Sequence, residues 1–261
     1  MVKINEKLYF EKISKDNIIG YLHEILEQNE EIKSLIAQAN IVAVERFYYN
    51  DHGITHSRIV SAASMEIFEK LLGFNIVPTI VQNNIGSLED AKIVIFLSAF
   101  LHDIGNAFHR ENHAIVGSII AFNLLEKFLA DIYPDVKKRV KIKSEISQCI
   151  YSHDEKILAP SIEASILKIA DGLDMAGGRA RIPYKLGKAD IHAFSALSIK
   201  EVELVSSSEK PISINVYMNN EAGIFQIEKV LIPKIQNTII KKYVRIEAIK
   251  NGETLRTYEF D

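Results

Sequence analysis

The apolar run Phe96-Leu97-Ser98-Ala99-Phe100-Leu101 ends on His102-Asp103. Burying a carboxylate there is costly unless charge or hydrogen bonds offset its lost hydration. Taken alone, the doublet reads equally well as a capped helix end. Four further residues change the balance. His56 shares a helical face with Ile59, Val60, Ala63 and Ile67, at spacings of three, four, seven and eleven, so it faces the interior. His113 does the same with Val116, Ile120 and Leu124, and Gly117 lets a neighbouring backbone approach. His153 ends the stripe Ile142, Ile146, Cys149 and Ile150, and Asp171 stands one turn after Leu167. Each histidine, taken singly, is more often a hydrogen-bonded core residue than a ligand. Sent together into one core, these imidazoles and carboxylates are the donors that divalent transition metals take, and metal charge would offset the desolvation of Asp103 and Asp171. His102 and Asp103 are therefore expected to be metal ligands.

The elements that must position these residues are helical up to about residue 190. Apolar spacing predicts helices over roughly 15–28, 31–47, 54–72, 88–103, 110–131, 136–153 and 161–176, with breaks at glycine and proline. Ser87 with Asp90, and Ser161, read as helix starts. Segment 88–103 is apolar nearly all round and is expected at the centre of the core. After about 195 the texture alternates: Ser198–Val205 and Ile212–Met218 read as strands, Ala222–Ile240 as a helix interrupted at Pro233, and Val244–Lys250 with Thr254–Phe260 as a hairpin turning on Asn251-Gly252. The expected fold class is α+β: an all-helical domain over 1–192, then a small β-β-α-β-β domain over 193–261 that serves oligomerisation or acts as a lid.

The 261 residues are 48% hydrophobic and 25% charged, with a net charge of −3. That is ordinary globular composition, with no global pull toward nucleic acid or anionic membrane. The single cysteine, Cys149, excludes an intramolecular disulfide and a cysteine-based zinc site, and suits a reduced, cytoplasmic setting. The start of the chain is polar and mixed in charge, unlike a signal peptide, and no apolar run is long enough to span a bilayer. The basic run Lys137–Lys143 reads as a solvated face, so a nucleic-acid groove is not favoured.

The order His56, His102-Asp103, Asp171 resembles the HD superfamily of metal-dependent phosphohydrolases, and His113 with His153 resembles its two-metal subset. His113-Ala-Ile-Val-Gly117 and Ala170-Asp-Gly-Leu-Asp174 look like the family's local motifs. The resemblance implies an HD-type helical domain holding two divalent transition metals (Mn, Fe, Co, Ni or Zn). His56, His102, Asp103 and Asp171 would bind one, His113 and His153 the other. Asp103 would bridge the two and orient the attacking hydroxide. The implied activity is hydrolysis of a phosphate ester, a nucleotide or related phosphodiester. The lysine common after the doublet is replaced by Asn106, and the Gly-Tyr-Pro signature of cyclic-di-GMP phosphodiesterases is missing.

Substrate contacts are expected from Asn106, His109 and Arg110, and from Arg179, Arg181 and Lys185, cations that follow Gly177-Gly178 and suit phosphate oxygens. Two rivals use the same ligands. One is a di-iron oxygenase of HD fold. The other is a non-catalytic nucleotide sensor, for which a complete ligand set would be superfluous. A homo-oligomer is expected, because a small sheet leaves an open edge.

Overall fold

Ser87 opens the helix on which the fold is centred. Its hydroxyl accepts from Asp90 N–H while the Asp90 carboxylate accepts from Ser87 N–H, which satisfies donors that a helix start otherwise leaves unpaired. The helix, α6 (Leu88–Leu101), is buried along almost its whole length. A computed structural model describes residues 1–176 and 191–261. In it α6 packs against α2 (Asn17–Gln28), α4 (Ile54–Gly73), α5 (Thr79–Gln82), α8 (Val136–Ser152) and α9 (Ile162–Leu173). The central position expected for this segment is the observed one.

The other helices follow the periodicity with local corrections. α1 (Glu6–Lys15) is additional to the expected set. Its amphipathic stripe is short, but the Asn5 side chain caps it by accepting from Leu8 N–H, and Leu8 and Tyr9 are buried. α3 (Glu30–Asn40) passes into a π turn at Ile41–Arg46. α7 (His113–Ile132) begins later than the pattern suggests, because Asn112 adopts a left-handed φ of 62°, a conformation Asn tolerates. Lys143, in the basic run read as solvated, is buried, with its ammonium 4.1 Å from the Phe122 ring centroid and paired with Glu126.

After the helix α10 (Ile191–Ser198), strands β2 (Ile199–Val205) and β3 (Ile212–Met218) pair antiparallel, with Val202 opposite Val216. The chain returns through α11, which comprises Gly223–Gln226, a π turn at Ile227–Leu231 and Ile232–Gln236. That crossover makes β4 (Val244–Lys250) parallel to β3, with Ile214 opposite Ile246. Asn251 and Gly252, both at positive φ, turn the chain into β5 (Glu253–Glu259). The architecture is the expected α+β layout, with one strand more. β1 (Val2–Lys3) joins β2 antiparallel, so the sheet order is β1-β2-β3-β4-β5. Buried residues of the helices and of the sheet form one apolar cluster that includes Ile95, Ile166, Leu231 and Ile246. Among the described residues, no helix is long and apolar enough to cross a membrane.

Candidate metal centre

The turn that follows α6 brings the histidine-aspartate doublet against the start of α7. Gly105, in the short 3-10 turn Ile104–Ala107, makes this possible: a Cβ there would stand 2.0 Å from the His113 carbonyl oxygen and 2.5 Å from Gly117 N. No side chain fits between those backbones, and the close approach sets His113 beside Asp103. α4 supplies His56, the end of α8 supplies His153, and α9 supplies Asp171. His56 and His102 are fully buried, and His113, His153 and Asp103 are at most 6% exposed.

These side chains converge. His56 Nε2 lies 3.2 Å from His102 Nε2, and His113 Nε2 lies 3.1 Å from His153 Nε2. Asp103 links the two pairs: its Oδ2 is 3.4 Å from His56 and 3.3 Å from His102, and its Oδ1 is 3.6 Å from His113 and 3.8 Å from His153. Asp171 Oδ1 stands 3.3 Å from His56 Nε2. Donor atoms of His56, His102 and Asp171, and of His102, Asp103 and His153, fall within 4.8 Å of one another.

The far side of each ring fixes where its proton sits. His102 Nδ1 faces the Ala99 carbonyl at 2.8 Å, His113 Nδ1 that of Arg110 at 2.9 Å, and His153 Nδ1 that of Ile150 at 2.5 Å. His56 Nδ1 faces Asp174 Oδ2 at 2.7 Å. A carbonyl oxygen only accepts, so Nδ1 of His102, His113 and His153 carries a proton, and where the ring is neutral Nε2 keeps its lone pair. Burial pushes His113 down to about 4, with help from the charge of Arg110. Burial, with the neighbouring His102 and His113, also holds His153 well below the usual histidine range. Both are neutral near pH 7. Two lone pairs then face each other at 3.1 Å with no proton between them, an arrangement that calls for a shared electrophile.

The carboxylates fit the same description. Burial alone would raise Asp103, but the charge of His102 and then that of His52 beside it hold it well below the ordinary range. Its Oδ2 is buried and, among the described residues, has no hydrogen-bond partner of good geometry. For Asp171, burial is outweighed first by the charge of Lys234 and then by His56 and His102, and the carboxyl again lies well below the ordinary range. Neutral imidazole nitrogens, ionised carboxylates and an unpartnered buried oxygen make a donor set that suits a divalent transition metal.

Asn106 is fully buried; its amide donates to Asp103 Oδ1 at 2.8 Å, and its carbonyl accepts from Arg110 at 3.1 Å. Arg110 lines a cavity of about 940 Å³ over the cluster, and its guanidinium stands 5.2 Å from the Tyr49 ring centroid. His109 is exposed, with its ring edge-on to Phe47, and is not among the residues lining that cavity. Arg179, Arg181 and Lys185 lie outside the described residues. The pattern of apolar stripes gave no role to Asp174, the partner of His56 Nδ1, although the motif ending at it was a signal. Nor did it give one to Lys234, 63 residues from Asp171, where no local signal exists.

Residues 53–176, which contain all the converging histidines and aspartates, match the HD domain family. The chain is 40% identical over 240 residues to the uncharacterized protein MJ1020 of Methanocaldococcus jannaschii, with 92% of each chain covered. No solved structure matches. The chain belongs to the HD superfamily of metal-dependent phosphohydrolase-type domains.

Proposed function

We propose that this protein hydrolyses a phosphate ester, a nucleotide or related phosphodiester, at a centre that holds two divalent transition metals. The carrying observation is the convergence of two pairs of imidazole Nε2 atoms on the two oxygens of Asp103. His56, His102, Asp103 and Asp171 would hold one metal and His113, His153 and Asp103 the other. Metals so held lower the pKa of water and offset charge on the attacking and leaving oxygens of a displacement. The chain's own residues do the positioning. Ala99, Arg110 and Ile150 fix three imidazoles through their carbonyls, Asp174 fixes the fourth, and Asn106 orients Asp103. Arg110, at the cavity wall, is suited to a phosphate oxygen.

The test is a screen of phosphomonoesters, phosphodiesters, nucleotides and short oligonucleotides with Mn, Fe, Co, Ni or Zn supplied in turn. Hydrolysis that is abolished by chelation and restored by metal is expected. Turnover that requires dioxygen would replace this reading with the di-iron oxygenase. Tight nucleotide binding without turnover under any metal would replace it with the sensor.

We divide the chain near residue 192 on function: the helical part carries the ligands and the C-terminal part assembly. The exposure of β5 along most of its length supports a homo-oligomer formed through that edge. Light scattering at micromolar concentration tests this, and a monomer would overturn it.

A further inference from the structure

Lys234 stands on the last turns of α11, beyond the residues that match the family. Its ammonium ion-pairs with Asp171 Oδ2. The other oxygen of that carboxylate, Oδ1, is the one near His56 and His102, at 3.3 and 3.8 Å. The lysine therefore takes the outer oxygen and leaves the inner one to the histidines. Lys234 also lines the cavity over the cluster, together with Lys229 and Arg110.

The position is built. A Cβ on Gly172, next to Asp171, would come within 2.8 Å of Leu231 Cδ1 and 3.3 Å of Lys234 Cδ. The side chains of Leu231 and Lys234 thus lie directly against this turn of α9, while the nearest backbone atom of α11, Leu231 Cα, stands 3.9 Å from that Cβ position. The π turn Ile227–Leu231 falls at the same contact, and such turns recur at functional sites. Just beyond Lys234 the backbone is tied down. The Asn237 carbonyl accepts from Ala159 N–H at 2.9 Å, the Asn237 side chain donates to the Glu155 carbonyl at 2.8 Å, and Ala159 pairs with Thr238 in an isolated bridge. The buried Lys168 ammonium reaches the Ile157 carbonyl within the same junction.

An ammonium carries three donors, and Asp171 is the one hydrogen-bond partner of Lys234 among the described residues. Arg110 is engaged by Asn106 and stands over Tyr49, and Lys229 is exposed at the rim. Among the described cavity cations Lys234 is the one hydrogen-bonded to a ligand carboxylate; Arg110 Nη1 stands 3.9 Å from Asp103 Oδ1, and Lys156, like Lys229, is exposed. Resting on the phosphate-ester reading above, the geometry points to Lys234 as the residue that binds a phosphate oxygen of the substrate beside the metal centre. The C-terminal part of the chain thereby completes the site.

The experiment uses the full-length protein with its metal content measured by elemental analysis, and inorganic phosphate as the titrant in calorimetry. Lys234→Met is expected to keep the metal content and to weaken phosphate binding at least tenfold. Lys234→Arg should retain affinity within a few-fold, and Lys229→Met should lose no more than about threefold, as a screened rim charge would. Unchanged phosphate affinity in Lys234→Met, or a wild-type protein that binds no phosphate, overturns the proposal. So does loss of metal together with phosphate, because Lys234 would then serve Asp171 and not the anion. An equal loss in Lys229→Met overturns it too, since the effect would be one of general field. Failure of the hydrolase reading shows separately, as absent metal or absent turnover in the wild-type protein.

Discussion

The His56 end and the His113 end of the cluster are built from the same kind of donor and supported differently. At the first, Asp174 takes His56 Nδ1, and Asp171 adds a carboxylate that Lys234 holds from outside. At the second, backbone carbonyls take the Nδ1 protons of His113 and His153, and among the described residues the one carboxylate oxygen within 4 Å of both rings is Asp103 Oδ1. A metal at the first end would have an anionic ligand of its own, and its histidine would be made more basic by a carboxylate behind it. A metal at the second end would depend on sharing Asp103. Placement of anions, more than the number of histidines, separates the two ends, and the second is expected to be the weaker.

Asp103→Ala gives the largest effect. It removes the group common to both ends, so the purified variant is expected to lose both metals. Elemental analysis that finds full occupancy at either end would break the link between them. Next come the histidines. His113→Ala and His153→Ala should lower the stoichiometry by about one metal and leave the other, while His56→Ala should empty the better-supported end. Chelator titration of the wild-type protein should likewise strip one metal first. Identical losses in all three variants would erase the distinction between the ends.

Acid sharpens the comparison from the other side. His113 is held at about 4 in the folded chain, against roughly 6.5 when unfolded. The unfolded chain binds the proton first, so this contribution to stability is complete above about pH 6.5. It is lost as the pH falls toward 4, amounting to roughly 3 kcal/mol over that window. His153 shifts in the same direction. Thermal melts of chelated protein should therefore fall steadily from pH 7 to pH 5, and a flat profile would contradict the neutral, buried pair. The smallest effect is expected from Asp174→Asn, which keeps the shape behind His56 and removes the charge. Metal affinity at that end should drop about tenfold, with the His113 end unchanged. Equal weakening of both would mean that the carboxylate acts on the whole cluster.

The inward placement of the candidate ligands was legible because helical periodicity assigns a face, and an imidazole or carboxylate on an apolar face must go inward. His56, His113 and His153 could be sent to the core from apolar neighbours at helical spacing, His102 and Asp103 from the apolar run that they end, and Asp171 from Leu167 one turn before it. The capping box at Ser87 and the Asn251-Gly252 turn were legible for the same reason, since their chemistry lies within a few residues. β1 was not, because two residues have no alternation to read and Val2–Lys3 become a strand only by pairing with Glu203 and Leu204. The start of α7 was misplaced by the single backbone angle at Asn112.

The sequence by itself determined which residues turn inward and that their chemistry suits a metal. The tertiary structure alone decided how they pair, that Asp174 backs His56, and that Lys234 meets Asp171 across 63 residues. The reason is physical. Burial preference is set by a residue and its near neighbours along a helix. The distance between donors on different helices is set by how closely the backbones pack, and here that depends on Gly105, where a Cβ would fall within 3 Å of the His113 and Gly117 backbone.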